Sequence, residues 1–265
     1  MVFVEIYNHL FVELSYSQTR EWLFLSSPLP LLLITLAYLY FIYYAGPRYM
    51  KNRPPYKLRT VILIYDLIQI LINLWSVKVH MSAGWSSALG EIRINSDCGK
   101  RYAAVLDANR LFEASWWLIW IKLFDYIETC LFVLRKKQNQ VSVLHVYHHI
   151  SNVVTYWYYL KYVLDVRSTY IQWVNGSVHV VMYIHYFLSA WSPNVQRMVS
   201  SFKPILTIIQ MVQFILLLLP VLVAIWYNCK FQTAMVAFFV VNMIIFLYLF
   251  YDFYKKTYTP KKKSN

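Results

Sequence analysis

Apolar runs close to the twenty or so residues that cross a bilayer as a helix recur seven times along this chain. They cover roughly residues 29–44, 61–79, 111–134, 141–160, 169–191, 204–227 and 233–254. The first is short, and Trp and Tyr blur the ends of the others because these side chains settle at the membrane interface. The pattern predicts an all-α integral membrane protein of seven spans, organised as one membrane domain over residues 1–265. Residues 1–28 form an N-terminal segment, residues 29–254 a seven-helix bundle and residues 255–265 a basic tail.

Composition agrees with this pattern. Charged residues make up 14% of the chain and hydrophobic ones 59%, whereas soluble domains carry about 25% charged residues. The excess apolar surface therefore requires lipid around it. Glu5, Glu13 and Glu21 precede the first span, and no basic stretch with a small-residue cleavage site accompanies them, so a cleaved signal peptide is not expected. A formal charge of +13 raises the question of nucleic acid, but the cations lie between apolar runs and no nucleic-acid motif is present. They follow membrane orientation instead. Arg48, Lys51, Arg53, Lys57 and Arg59, then Arg135, Lys136 and Lys137, then Arg197 and Lys203, then the tail from Lys255 to Lys263 occupy alternate connections. Those connections are expected in the cytosol. An odd number of spans then puts the N-terminus in the lumen. Lys262 and Lys263 stand fourth and third from the C-terminus, which resembles a dilysine retrieval signal of endoplasmic-reticulum membrane proteins; a plain solvated tail is the alternative.

Polar side chains inside spans are costly and face the protein interior, so their depths are informative. At about 1.5 Å per residue, His145, His148 and His149 lie roughly 6–12 Å inside the cytosolic end of the fourth span. Lys122, Asp125, Glu128 and Thr129 on the third span, Asp66 and Gln69 on the second, and Thr207, Gln210 and Gln213 on the sixth fall in a similar layer. Asn175 and His179 approach mid-membrane on the fifth. Five helices thus carry polar groups to the cytosolic half, while the lumenal halves hold fewer. This predicts a pocket open to the cytosol with an apolar dead end, suited to a charged head group on a long acyl chain.

Spacing groups these residues further. His145, His148 and His149 stand at i, i+3 and i+4 and share one helix face, and Asn175, His179 and Tyr183 repeat the four-residue step with Met182 beside them. Three histidines on one buried face point to chemistry or metal binding. Lone membrane histidines such as His80 and His185 read more simply as hydrogen-bond partners between helices. Gln210 and Gln213 either join helices or line the pocket. Lys122 with Asp125 and Glu128 is either an ion-pair brace or part of the site.

Four ordered blocks on consecutive helices resemble the ELO family of very-long-chain fatty-acid elongases. They are Lys122-x-x-Asp125-x-x-Glu128-Thr129; Leu144-His145-Val146-Tyr147-His148-His149, preceded by Leu134-Arg135-Lys136-Lys137; Asn175-x-x-x-His179-x-x-Met182-Tyr183; and Leu206-Thr207-x-x-Gln210-x-x-Gln213. The match begins near Glu21-Trp22, continues through Gly46-Pro47-Arg48-Tyr49-Met50 and reaches the seventh span. Relative to the family, the acidic types at positions 125 and 128 are exchanged, which keeps charge but alters each carboxylate's reach by one methylene. His185 stands where Tyr is common.

The resemblance implies condensation of a long-chain acyl-CoA with malonyl-CoA to 3-oxoacyl-CoA, CO2 and CoA, both thioesters being substrates and no cofactor or metal being expected. The implied fold is a ring of spans two to seven around an acyl tunnel, with span one outside. His148 is the expected nucleophile, His179 its partner, and His145, His149 and Asn175 the groups that orient the ring or stabilise charge. Lys122, Asp125, Glu128, Thr129, Tyr183, Thr207, Gln210 and Gln213 are expected to line the substrate site. Arg135, Lys136, Lys137, Arg197 and Lys203 would attract CoA phosphates, although topology alone explains their presence. Cys98 and Cys229 both fall on the lumenal side by this topology, where an oxidising compartment permits a disulfide. Cys130 reads as packing. Membrane lipid and the other enzymes of the elongation cycle are the expected partners, and a homo-oligomer is left open. A di-iron desaturase or hydroxylase also uses histidine boxes, but the seven histidines here include His9 and His80, poorly placed as ligands.

Overall fold

A computed structural model describes residues 2–82, 108–163, 168–228 and 233–259. Among them every long element is helical and no strand occurs. In chain order the α-helices are α1 (Val2–Asn8), α2 (Leu29–Tyr40), α3 (Gly46–Met50), α4 (Arg59–His80), α5 (Ala108–Phe124), α6 (Tyr126–Leu134), α7 (Val143–Tyr162), α8 (Ser168–Trp191), α9 (Pro193–Ser200), α10 (Lys203–Trp226) and α11 (Thr233–Tyr258). Each predicted apolar run falls on one of these helices or on a consecutive pair. Among the described residues four segments are long and apolar enough to cross a membrane: Leu29–Met50, Arg59–His80, Lys203–Val223 and Val236–Tyr258. The helices holding the histidine box and the Lys122 block are outside that set: the first carries three histidines in its first two turns, and the second is divided into helices of 17 and 9 residues.

The first apolar helix runs past its predicted end at Tyr44 to Met50, because a π turn at Phe41–Ala45 joins α2 to α3. That turn stands just ahead of Pro47, whose ring and missing N–H a regular α-helix could not accommodate.

The chain forms two compact units. The first contains residues 1–58 and 107–165. Its core gathers Phe24, Leu25, Leu31, Tyr38 and Ile42 with Phe112, Ile119, Tyr126, Val133, Val146, Val153 and Leu160. Close approach between α3 and α6 depends on Gly46, where an added Cβ would fall 2.6 Å from Val133 Cγ1 and 2.8 Å from the Phe41 carbonyl oxygen. The N-terminal segment is fastened to α5 and α7 by backbone carbonyls. Trp116 Nε1 donates to Leu23 O at 3.1 Å and Trp157 Nε1 to Phe24 O at 2.8 Å. The buried ammonium of Lys161 donates to Leu25 O. These bonds hold Phe24 at φ 72°, a conformation that costs a residue with a Cβ about a kcal/mol or more.

The second unit contains residues 59–106 and 166–265. Helix α4 shows the arrangement that lipid demands. Ile64, Leu67, Leu71 and Leu74 face outward, while Tyr65, Asp66, Gln69, Asn73, Ser76 and His80 are buried. Positions 66, 69, 73, 76 and 80 alternate steps of three and four, so one polar stripe runs nearly the length of the helix. It packs on α8, where Gly176 permits contact: a Cβ there would lie 2.7 Å from Val77 Cγ2. Gln172 Nε2 donates to Ser76 Oγ at 2.9 Å across this contact. His80, expected to bond between helices, instead uses Nδ1 within its own helix, donating to Ser76 O at 2.8 Å. Arg59 Nε donates to Ala190 O at 3.1 Å, satisfying a carbonyl at the C-terminal end of α8, as basic groups do at helix ends. Phe214 of α10 stacks on Phe246 of α11 at 5.1 Å.

Candidate active site

The loop before α7 sets the position of the histidine box. Helix α6 ends with Lys136 at φ 56°, and the N–H groups of Lys137 and Lys136 bond back to Phe132 O at 2.9 Å and Val133 O at 3.0 Å. This paired closure is a Schellman motif. After a short 3-10 turn at Gln138–Gln140, Ser142 caps α7, its Oγ accepting from the His145 N–H at 3.2 Å. The box therefore occupies the first two turns of a helix whose start is fixed by a capping side chain.

Opposite it, the third apolar run is interrupted at Asp125, which joins α5 to α6 through a tight turn. The Asp125 N–H still bonds Ile121 O at 3.1 Å, while Glu128 N–H bonds Asp125 O at 3.2 Å. Within this turn Lys122 Nζ lies 3.7 Å from Asp125 Oδ2, both groups being buried. The ammonium also stands 5.6 Å from the centre of the Tyr156 ring, a distance at which the ring face attracts a cation.

The turn and the box meet inside the first unit. Thr129 Oγ1 lies 2.9 Å from His145 Nε2, and His145 Nε2 lies 3.0 Å from His149 Nε2. Glu128 Oε2 stands 3.8 Å from His149 Nε2. His149, Glu128 and Thr129 are buried. His148 lies to the side of this line, its ring centre 5.5 Å from that of His149, and Asn152 Nδ2 donates to His148 Nε2 at 3.0 Å. That bond places the lone pair of the His148 ring on Nε2. Asn152 is not among the site residues expected from the sequence, although its position four residues after His148 puts it on the same helix face. Ligand atoms of Glu128, His145 and His149 all lie within 4.8 Å of one another, so these three could hold a metal ion. Cys130 is a free, half-buried thiol.

In the second unit, Asn175, His179 and Tyr183 are buried on α8. The His179 and Tyr183 rings meet edge to face at 5.9 Å, and Tyr183 meets Tyr65 of α4 at 6.2 Å. Gln69 Nε2 donates to the Tyr65 hydroxyl at 2.7 Å. Gln210 Nε2 donates to Met182 Sδ at 3.5 Å, joining α10 to α8. Thr207 bonds Lys203 O in its own helix at 3.2 Å. Gln213 is buried, and its Oε1 has no hydrogen-bond partner among the described residues.

The basic residues expected to attract CoA phosphates divide by exposure: Lys136, Lys137, Arg197 and Lys203 are exposed and Arg135 is half-buried. Cys98, Cys229, Lys262 and Lys263 lie outside the described residues.

A family profile, the GNS1/SUR4 family, matches residues 23–265. The chain belongs to the ELO family of very-long-chain fatty-acid elongases. It is similar to a very long chain fatty acid elongase of Aedes aegypti, 31% identical over 99% of this chain and 72% of that protein. Very long chain fatty acid elongase 7 of Drosophila melanogaster is 32% identical over 98% of this chain and 78% of its own length. Very long chain fatty acid elongase 4 of Mus musculus is 32% identical over 93% and 77%. These ELO relatives match nearly the whole of this chain, so the similarity takes in both units.

Proposed function

We propose that this ELO protein condenses a long-chain acyl-CoA with malonyl-CoA, giving 3-oxoacyl-CoA, CO2 and CoA, in the membrane of the endoplasmic reticulum. Seven spans, a lumenal N-terminus and a cytosolic basic tail belong to this reading, as does an apolar tunnel for the acyl chain. The observation that carries it is the interior histidine cluster, with His148 held by Asn152 at 3.0 Å beside the His145–His149 pair.

In this scheme the incoming thioester displaces Asn152 from His148 Nε2, and the freed lone pair attacks the acyl thioester carbonyl. The carbon–sulfur bond breaks, the imidazole hydrogen passes to the CoA sulfur, and an acyl-imidazole remains. Malonyl-CoA then loses CO2, and the electron pair of the broken carbon–carbon bond becomes an enolate. Its carbon attacks the acyl group, the carbon–nitrogen bond breaks, and the departing imidazole takes up a proton. One proton is consumed per turnover. The apolar surroundings shelter the reactive acyl-imidazole from water. His179 has the role of second imidazole, and His145, His149 and Asn175 orient the ring or steady the thioester oxygen. Lys122, Asp125, Glu128, Thr129, Tyr183, Thr207, Gln210 and Gln213 line the substrate site. The cations Arg135, Lys136, Lys137, Arg197 and Lys203 attract the CoA phosphates.

The cluster of Glu128, His145 and His149 favours one other reading, a metal-dependent lipid oxidase of the desaturase or hydroxylase kind. Purified protein supplied with a long-chain acyl-CoA and radiolabelled malonyl-CoA separates the two. The condensation reading expects labelled 3-oxoacyl-CoA and labelled CO2 without an added oxidant. Absence of both products, with oxidation of the acyl chain once iron and reductant are supplied, would contradict it.

A further inference from the structure

Helix α2 is almost wholly apolar, yet two hydroxyl side chains one turn apart point at α6, and both are bonded there. Thr35 Oγ1 lies 3.1 Å from the Tyr126 hydroxyl, and the Tyr38 hydroxyl lies 3.0 Å from Thr129 Oγ1. The Tyr38 and Tyr126 rings stack at 4.0 Å with an angle of 11° between their planes. A Phe at position 38 would stack equally well, so packing does not call for the hydroxyl. Burying a phenol without a partner is costly. Tyr38 is buried and Thr129 wholly so.

Thr129 is the group that touches His145. Its hydroxyl has one hydrogen and lies between the Tyr38 oxygen at 3.0 Å and His145 Nε2 at 2.9 Å. A phenol is the stronger donor of the two hydroxyls. When Tyr38 donates to Thr129, the Thr129 hydrogen is directed at His145 Nε2, which must then present its lone pair. His149 Nε2 lies 3.0 Å from that same nitrogen. Two lone pairs cannot face each other at this distance, so His149 carries the hydrogen, beside Glu128 Oε2 at 3.8 Å, and the one Nε2 lone pair of His145 takes the Thr129 and His149 hydrogens together as a three-centre bond. A contact from the first membrane helix thus propagates through two side chains to the protonation pattern of the box.

We propose that Tyr38 is a positioning residue for the histidine box, setting through Thr129 which of His145 and His149 carries the hydrogen between their Nε2 atoms. This rests on the condensation reading for its kinetic consequence. The first span accordingly takes part in the reaction without touching substrate.

The test uses the full chain, purified in detergent, with initial rates over both substrates. Tyr38→Phe removes only the hydroxyl and should lower kcat about three- to ten-fold, the worth of one hydrogen bond. Both KM values should stay within about two-fold. Thr129→Val should slow the enzyme as well, Thr129→Ser should restore the rate, and Tyr38→Phe should add no further loss to Thr129→Val. Tyr40→Phe, an exposed neighbour on the same helix, should match the wild type. An unchanged kcat, an effect on KM alone, or penalties that multiply in the double variant would overturn the proposal. If Tyr38→Phe does not fold, the pair at position 129 decides: a rate lost in Val and kept in Ser supports the relay, and equal rates reject it. If the wild type itself does not condense the thioesters, the functional reading fails, and Tyr38 is judged on carbethoxylation of His145 by diethyl pyrocarbonate, mapped on peptides. A change in rate of about two-fold or more between wild type and Tyr38→Phe supports the proposal, because the reagent attacks the nitrogen that presents a lone pair; identical rates reject it.

Discussion

His145 and His149 face each other through their Nε2 atoms at 3.0 Å, a distance at which one nitrogen must carry hydrogen and the other accept it. With Glu128 alongside, the same atoms could instead surround a cation. The condensation scheme needs no cation. Purified protein dialysed against EDTA should therefore retain its activity and bind no stoichiometric transition metal by elemental analysis. Loss of activity on chelation, restored by iron or zinc, would make these residues metal ligands instead.

Gly46 supports the contact between α3 and α6, since an added Cβ would fall 2.6 Å from Val133 Cγ1. Gly46→Ala should destabilise the protein by about 1–3 kcal/mol through overpacking, seen as a lower thermal midpoint in detergent. An unchanged midpoint would show that α3 can move away without cost.

Asn152 fixes the lone pair of His148 through a 3.0 Å hydrogen bond. Asn152→Leu keeps the volume and removes the donor, so kcat should fall about ten-fold with little change in KM. A rise in KM at constant kcat would assign Asn152 to substrate binding instead.

Much of this arrangement is legible in the sequence. The i, i+3, i+4 spacing puts three histidines on one face, and their cost inside a membrane marks them as functional. What stays hidden depends on packing between distant segments. Tyr38 lies in an apolar run rich in tyrosines, and nothing local separates it from the exposed Tyr40. The turn at Asp125 is hidden too, because Phe124-Asp125-Tyr126 contains neither Gly nor Pro. The polar stripe on α4 is different. Asp66, Gln69, Asn73, Ser76 and His80 keep helical spacing, but only Asp66 and Gln69 attract notice when depth from the cytosolic end is the guide.

The exposed cations Lys136, Lys137, Arg197 and Lys203 supply a kinetic prediction. Neutralising each to Gln should raise KM for acyl-CoA by up to about five-fold, within the range of exposed ion pairs. The differences should shrink as ionic strength rises. Equal KM values across the four variants and the wild type would leave these residues to membrane orientation alone.

The most direct test of the account is incubation of purified, active protein with acyl-CoA in the absence of malonyl-CoA. The account predicts a burst of free CoA in an amount matching the enzyme, together with the acyl mass on the peptide containing His148. Neither a burst nor an adduct, in a preparation that condenses both substrates, would contradict it and place the attack within a ternary complex.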